Sequence, residues 1–87
     1  MSFYMVTYGA TQIEELYIGL TEEDVVTSAR VLIDQWPEYA ALSNEEVIEM
    51  ARSGEVEFDL VEIHAPWPGE NASHHHLIGL YEKQHAL

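Results

Sequence analysis

Sixteen acidic residues against only Arg30, Arg52 and Lys83 constrain this chain more than anything else in it. The formal charge is −13 over 87 residues. Self-repulsion on that scale adds nothing to the stability of a globular domain, so its reason is to be sought outside the fold. The apolar fraction, 47%, is ordinary for a folded protein and too high for a disordered acidic tail. The carboxylates are therefore carried on a packed body.

The length fits a single domain, residues 1–87, with a small stability margin. The chain has no Cys, which excludes disulfides and thiolate sites. The N-terminal residues lack the basic start and long apolar run of a signal peptide. No apolar stretch approaches the ~20 residues that span a bilayer, and anionic lipid repels an acidic surface. Direct nucleic-acid binding is disfavoured, because Lys and Arg supply most of that affinity. The expected location is the cytoplasm.

Local patterns predict the elements. Residues 2–8 are aromatic and β-branched, as strands are, with Phe3, Met5 and Thr7 on one face and Tyr4, Val6 and Tyr8 on the other. Gly9 to Gln12 reads as a turn and residues 13–20 as a returning strand, a short helix being the alternative. Thr21 caps a helix with Asp24 at the capping-box position, and Val25, Ala29, Leu32, Ile33 and Trp36 form its apolar face. Pro37 stops that helix near Trp36. Ser43 and Glu46 form a capping box for a second helix, which Gly54 ends in the left-handed conformation. Glu55 to Leu60 alternates as a half-buried strand. The slip at Leu60–Val61 predicts either a β-bulge or burial of both faces. Ala65 to Ser73 reads as a loop, His74 to Tyr81 as a strand, and 82–87 as a tail. The order is β-β-α-α-β-β. The expected fold is α+β, a small antiparallel sheet of about four strands with two helices on one face.

Fourteen of the sixteen acids lie between Glu14 and Glu62, and the residues after Ile63 hold all five His. Glu22, Glu23 and Asp24 crowd the first helix start, and Glu45, Glu46 and Glu49 the second. Glu55, Glu57 and Asp59 share one face of the expected strand, spaced about 7 Å apart. DNA carries a phosphate every ~3.4 Å of axis per strand, with a longer step along the helical path, so the two spacings are comparable. Helix capping and a charged outer strand face account for each cluster singly. The near absence of Lys does not follow from either, because ordinary surfaces mix both signs.

Such a surface steers basic partners and fixes their register. In size, charge and lack of Cys the chain resembles small phage-encoded inhibitors of bacterial defence, the anti-CRISPR and DNA-mimic anti-restriction proteins. It is also similar to the acidic immunity proteins that plug bacterial nucleases. The resemblance is one of type across the whole chain, with no shared motif, and carries over no site residue. It implies a protein that occupies the phosphate path of a nucleic-acid-binding partner.

Exposed charge gives little net affinity, so aromatic anchors are also needed. Trp67, held between Pro66 and Pro68, is the foremost candidate, with Tyr39 and Tyr17 beside it. A Trp67 folded back onto the core is the plain alternative, and Trp36 belongs to the core. An unpaired strand edge would let two copies pair as a homodimer. On a strand, His74 and His76 would share a face and chelate a metal with His64, Glu62 or His85. No Gly-rich phosphate loop or nucleophile motif points to catalysis. The expectation is a non-enzymatic protein without cofactor that binds and blocks a basic nucleic-acid-binding protein or complex. Its expected contacts are Glu22, Glu23, Asp24, Glu45, Glu46, Glu49, Glu55, Glu57, Asp59 and Trp67. The alternatives are a metal-binding protein centred on His64 and His74–His76, and a plain acidic accessory protein.

Overall fold

The computed structural model describes residues 1–85. Three strands form an antiparallel sheet: β1 (Phe3–Tyr8), β2 (Glu15–Gly19) and β3 (Asp59–Ile63), in the order β2-β1-β3. Five helices accompany it: α1 (Glu22–Ser28), α2 (Arg30–Ile33), α3 (Pro37–Ala40), α4 (Asn44–Arg52) and α5 (His74–His85). The fold is α+β. Among the described residues no helix is long and apolar enough to cross a membrane.

The expected alternation of β1 governs the packing. Val6, with Tyr4 and Tyr8, faces a core built with Val25, Val26, Leu32, Ile33 and Val47 from the helices α1, α2 and α4. Phe3 and Met5 face a second core with Ile63 and Leu77, flanked by Leu80 and Tyr81 of α5. The sheet is thus covered on both faces, not on one as expected. That coverage explains the slip at Leu60–Val61. The register of β3 on β1 runs unbroken from Phe3↔Ile63 to Thr7↔Asp59, so no bulge is present. Leu60 joins the first core and Val61 the second.

Two expectations are corrected. The segment from His74 is a helix, so the sheet has three strands and not four. Ser73 starts it, its hydroxyl accepting from the His76 N–H at 3.1 Å. Burial of Leu77, with Leu80 and Tyr81 packed beside it on the same core, then follows helical spacing. Of the expected tail, 82–85 continues the helix, and Ala86 and Leu87 lie outside the described residues. The strand expected from Glu55 starts only at Asp59. Beyond the Thr7↔Asp59 pair β1 has one residue left before the chain turns away at Gly9, so Glu55 and Glu57 find no ladder. Their alternation with half-buried Val56 and buried Phe58 persists, because those two side chains dock into the first core.

The helix caps form as the local sequence specifies. The Thr21 hydroxyl accepts from the Asp24 N–H at 3.1 Å. Ser43 and Glu46 complete both halves of a capping box, at 3.1 and 2.9 Å. Gly54, with φ +74°, lets the Glu55 N–H reach the Met50 carbonyl and its own N–H reach Ala51, the Schellman arrangement. The first helix is less regular than expected. It breaks at Ala29, and Pro37 opens α3 at its first turn rather than merely ending the preceding helix. Gly19 is required by contact: a Cβ there would lie 2.3 Å from the Val25 nitrogen, where α1 crosses β2.

Candidate interaction surface

Every acidic side chain but two is exposed; Glu15 and Glu22 are half-buried. Two of the acidic clusters come together through α1 and α4, which run antiparallel. Asn44, at the start of α4, donates to Thr27 Oγ1 at 2.9 Å and to Glu23 Oε1 at 3.1 Å. Arg52, at its end, bridges Glu22 at 2.6 Å and Glu49 at 2.9 Å. Those carboxylates raise the Arg52 pKa, Glu22 most. Glu45 and Glu46 stand exposed at the α4 start, and the capping contact with Ser43 pulls the Glu46 carboxyl below its ordinary range.

The segment carrying Glu55 and Glu57 docks on the same side of the sheet through Val56 and Phe58, and Glu57 lies near Tyr39 there. Glu38 and Glu57 lie close enough to Tyr39 to raise its phenol pKa, although burial is the larger cause. Residues 21–58 therefore form one layer carrying ten acids against Arg30 and Arg52. Asp59 departs from the expected row. It alternates with Leu60, so it shares the α5 side with Val61 and Ile63. Glu55 and Glu57 precede β3, so of the expected row only Asp59 lies on a strand.

Both arginines are spent inside this layer. Arg30 donates to the Leu42 carbonyl at 2.6 Å, Asn44 Oδ1 at 2.9 Å and Asp34 at 3.0 Å, with a longer contact to the Tyr39 carbonyl at 3.3 Å. It ties the α1–α2 break to the loop before α4. The opposite layer, residues 64–85, carries Glu70 and Glu82 against Lys83, with all five His. The sheet separates an acidic face from a His-bearing one.

The aromatic candidates divide. Tyr39 is buried, with its hydroxyl donating to the Glu55 carbonyl at 3.4 Å, so it is core rather than anchor. Trp36 packs half-buried against it, with ring centroids 5.7 Å apart. Trp67 is half-buried and meets Phe3 edge-on, with centroids 6.0 Å apart. Trp67 and Tyr17 line one cleft of about 480 Å³ along the outer edge of β2. Sequence reasoning did not find this cleft; the signal available was the apolar run from Leu16 to Leu20 beside a Trp-bearing loop.

The histidines do not assemble as expected. On helix α5 His74 and His76 stand about 200° apart and share no face. His74 lines the β2-edge cleft, whereas His64 lines a separate cleft of about 270 Å³ with Lys83 and Gln84. His85 stacks on Tyr81 at 4.6 Å. Among the described residues no three His, Asp or Glu side chains converge in a group suited to a metal. No protein-family model, curated protein or solved structure matches the chain.

Proposed function

We propose that this chain is an acidic interaction protein that binds a basic nucleic-acid-binding protein or complex and blocks it, in the manner of phage-encoded anti-CRISPR or DNA-mimic inhibitors. The observation that carries the reading is the gathering of ten acids into the layer formed by residues 21–58, whose two arginines are both tied up inside it. A partner approaching that layer meets carboxylates on a rigid support. Glu22, Glu23, Asp24, Glu45, Glu46, Glu49, Glu55 and Glu57 are the contacts of this reading. Long-range attraction speeds encounter, and close charge pairs set register. A basic groove filled this way is closed to phosphate.

The test is affinity capture from a bacterial lysate between about 0.1 and about 1 M salt, over which the screening length falls from ~10 to ~3 Å. The expected result is a basic, nucleic-acid-binding protein released by salt and competed by nucleic acid. The triple reversal Glu45→Lys, Glu49→Lys, Glu57→Lys is expected to abolish its capture. Capture unchanged by that reversal, or insensitive to salt, would refute the reading.

A further inference from the structure

The two edges of the sheet are not equivalent. On the outer edge of β3 the Gln84 side-chain amide accepts from the His64 N–H at 2.7 Å and donates to the Glu62 carbonyl at 2.6 Å. One side chain of α5 thus occupies the place that a neighbouring strand's peptide group would take. This contact also sets the phase of the ladder. Glu62 and His64 point outward, so Val61 and Ile63 point to β1, and their partners Met5 and Phe3 point to β3. Tyr4, Val6 and Tyr8 then point to β2, in agreement with the Tyr8 carbonyl accepting from Glu14 on that side. Their partners are Gly19, Tyr17 and Glu15. The N–H and C=O groups of Leu16 and Ile18 are therefore left facing the open edge. Among the described residues no loop or side-chain hydrogen bond reaches them.

The cleft of about 480 Å³ lies along this edge and has two unlike walls. Asp24 and Ser28 of α1 form one. Trp67, Ala72 and Leu77 form the other, together with Glu70 and His74. Exposed Leu20 lies at one end. A strand laid along β2 would send alternate side chains to opposite walls.

We propose that β2 is completed by an extended basic segment of a partner protein, whose residues alternate between Lys or Arg facing Asp24 and apolar side chains facing Trp67 and Leu77. Main-chain hydrogen bonds to Leu16 and Ile18 supply pairing, and the alternation supplies specificity. A second copy of this chain would fit the backbone, but each copy carries −13, which opposes its approach. The proposal rests on the reading of the chain as a binder of basic proteins and names where one segment of the partner sits.

The test uses the full chain, isotopically labelled, and capped peptides of about seven residues alternating Lys with Val, long enough to span β2 at roughly 3.4 Å per residue. Binding is expected to slow amide exchange at Leu16 and Ile18 by about tenfold or more. Methylating the peptide nitrogens along its pairing edge is expected to abolish binding while leaving its charge intact. Asp24→Lys is expected to weaken binding by at least about tenfold, whereas Glu82→Lys on α5 leaves it unchanged. Equal binding of the methylated peptide, or no binding at millimolar concentration, overturns the edge proposal. So does slow exchange at Leu16 and Ile18 in a dimer formed without peptide, since the occupant is then a second copy. Salt-sensitive capture of a basic partner in the face of any of these results leaves the broader reading standing; loss of that capture sinks the broader reading itself.

Discussion

Replacing Arg30 by Ala should remove the main polar tie of the acidic layer. The guanidinium side chain is 21% exposed and reaches four acceptors. The contacts to the Leu42 carbonyl and Asn44 Oδ1 are short and part-buried, and hydrogen bonds to a charged group are worth ~1.5 kcal/mol each at the low end, suited to partial exposure. The pair with Asp34, one helical turn along, adds ~0.3 kcal/mol. The long contact to Tyr39 is counted as nothing. The sum is about 3 kcal/mol, a large part of the ~5–15 kcal/mol that holds a typical domain together. For a chain of this size each kcal/mol moves Tm by ~4–8 °C, so a fall of roughly 12–24 °C is expected. Urea denaturation followed by circular dichroism gives the free energy directly, and a thermal scan checks it. Arg30→Lys should recover only part of the loss, since an ammonium cannot span acceptors that a planar fork reaches together. A fall of less than ~4 °C for Arg30→Ala, equivalent to under ~1 kcal/mol, would show that the loop before α4 holds its shape without the guanidinium.

Other expectations follow from single contacts. Burial and the hydrogen bond to Glu15 at 2.6 Å push the Tyr17 phenol up to about 12. Its raised folded-state value stabilises the protein fully below pH 10, and that contribution is lost as pH rises from there through about 12. An absorbance titration of phenolate should show Tyr17 and the buried Tyr39 ionising late, and Glu15→Gln should bring only the Tyr17 step earlier. Leu77→Ala, at a side chain only 5% exposed, should destabilise by ~2–4 kcal/mol in urea and expose the face carrying Phe3 and Met5. The Glu46 carboxyl, pulled below its ordinary value by Ser43, contributes stability above that value that is lost as pH falls through the lowered one. The pH dependence near 4 should therefore be shallower in Glu46→Gln.

What was legible in the sequence was what is decided within a few residues. The Thr21 and Ser43 caps and the Gly54 stop are contacts over three to five positions, and all are present. The β1–β2 hairpin was readable in part: β1 by its aromatic and β-branched run, β2 only beside a short helix as the alternative, because Glu14 to Leu16 suits either state. The helix α5 was not. Three consecutive His and a central Gly mask its period, and its state is decided by Leu77, Leu80 and Tyr81 packing on the sheet face that carries Phe3 and Met5, at the other end of the sequence. The Glu55–Asp59 strand failed for the same kind of reason. Its alternation is real, but a strand also needs a neighbour, and β1 ends too soon. At the candidate site, the clustering of acids could be read from the chain, whereas the burial of Tyr39 and the cleft beside β2 are products of tertiary packing.

Charge and open edge bear on one another. A three-stranded sheet has two edges, and each is a template for pairing with another chain. Gln84 covers part of one of them, at Glu62 and His64. The other is left to the charge. Copies approaching along β2 bring Glu14, Glu15 and Asp24 toward the same residues of the second copy, with no Lys or Arg anywhere in residues 1–29 to offset them. High salt should weaken that protection, since screening acts on exposed charges first. The apolar strip of Leu16, Ile18 and Leu20 would then self-associate, and its onset should track ionic strength rather than protein unfolding. Sedimentation at rising salt, with circular dichroism to confirm that the fold is intact, measures this. Monomers that persist at about 1 M salt, where the screening length is ~3 Å, would show that the edge is guarded by shape and not by charge.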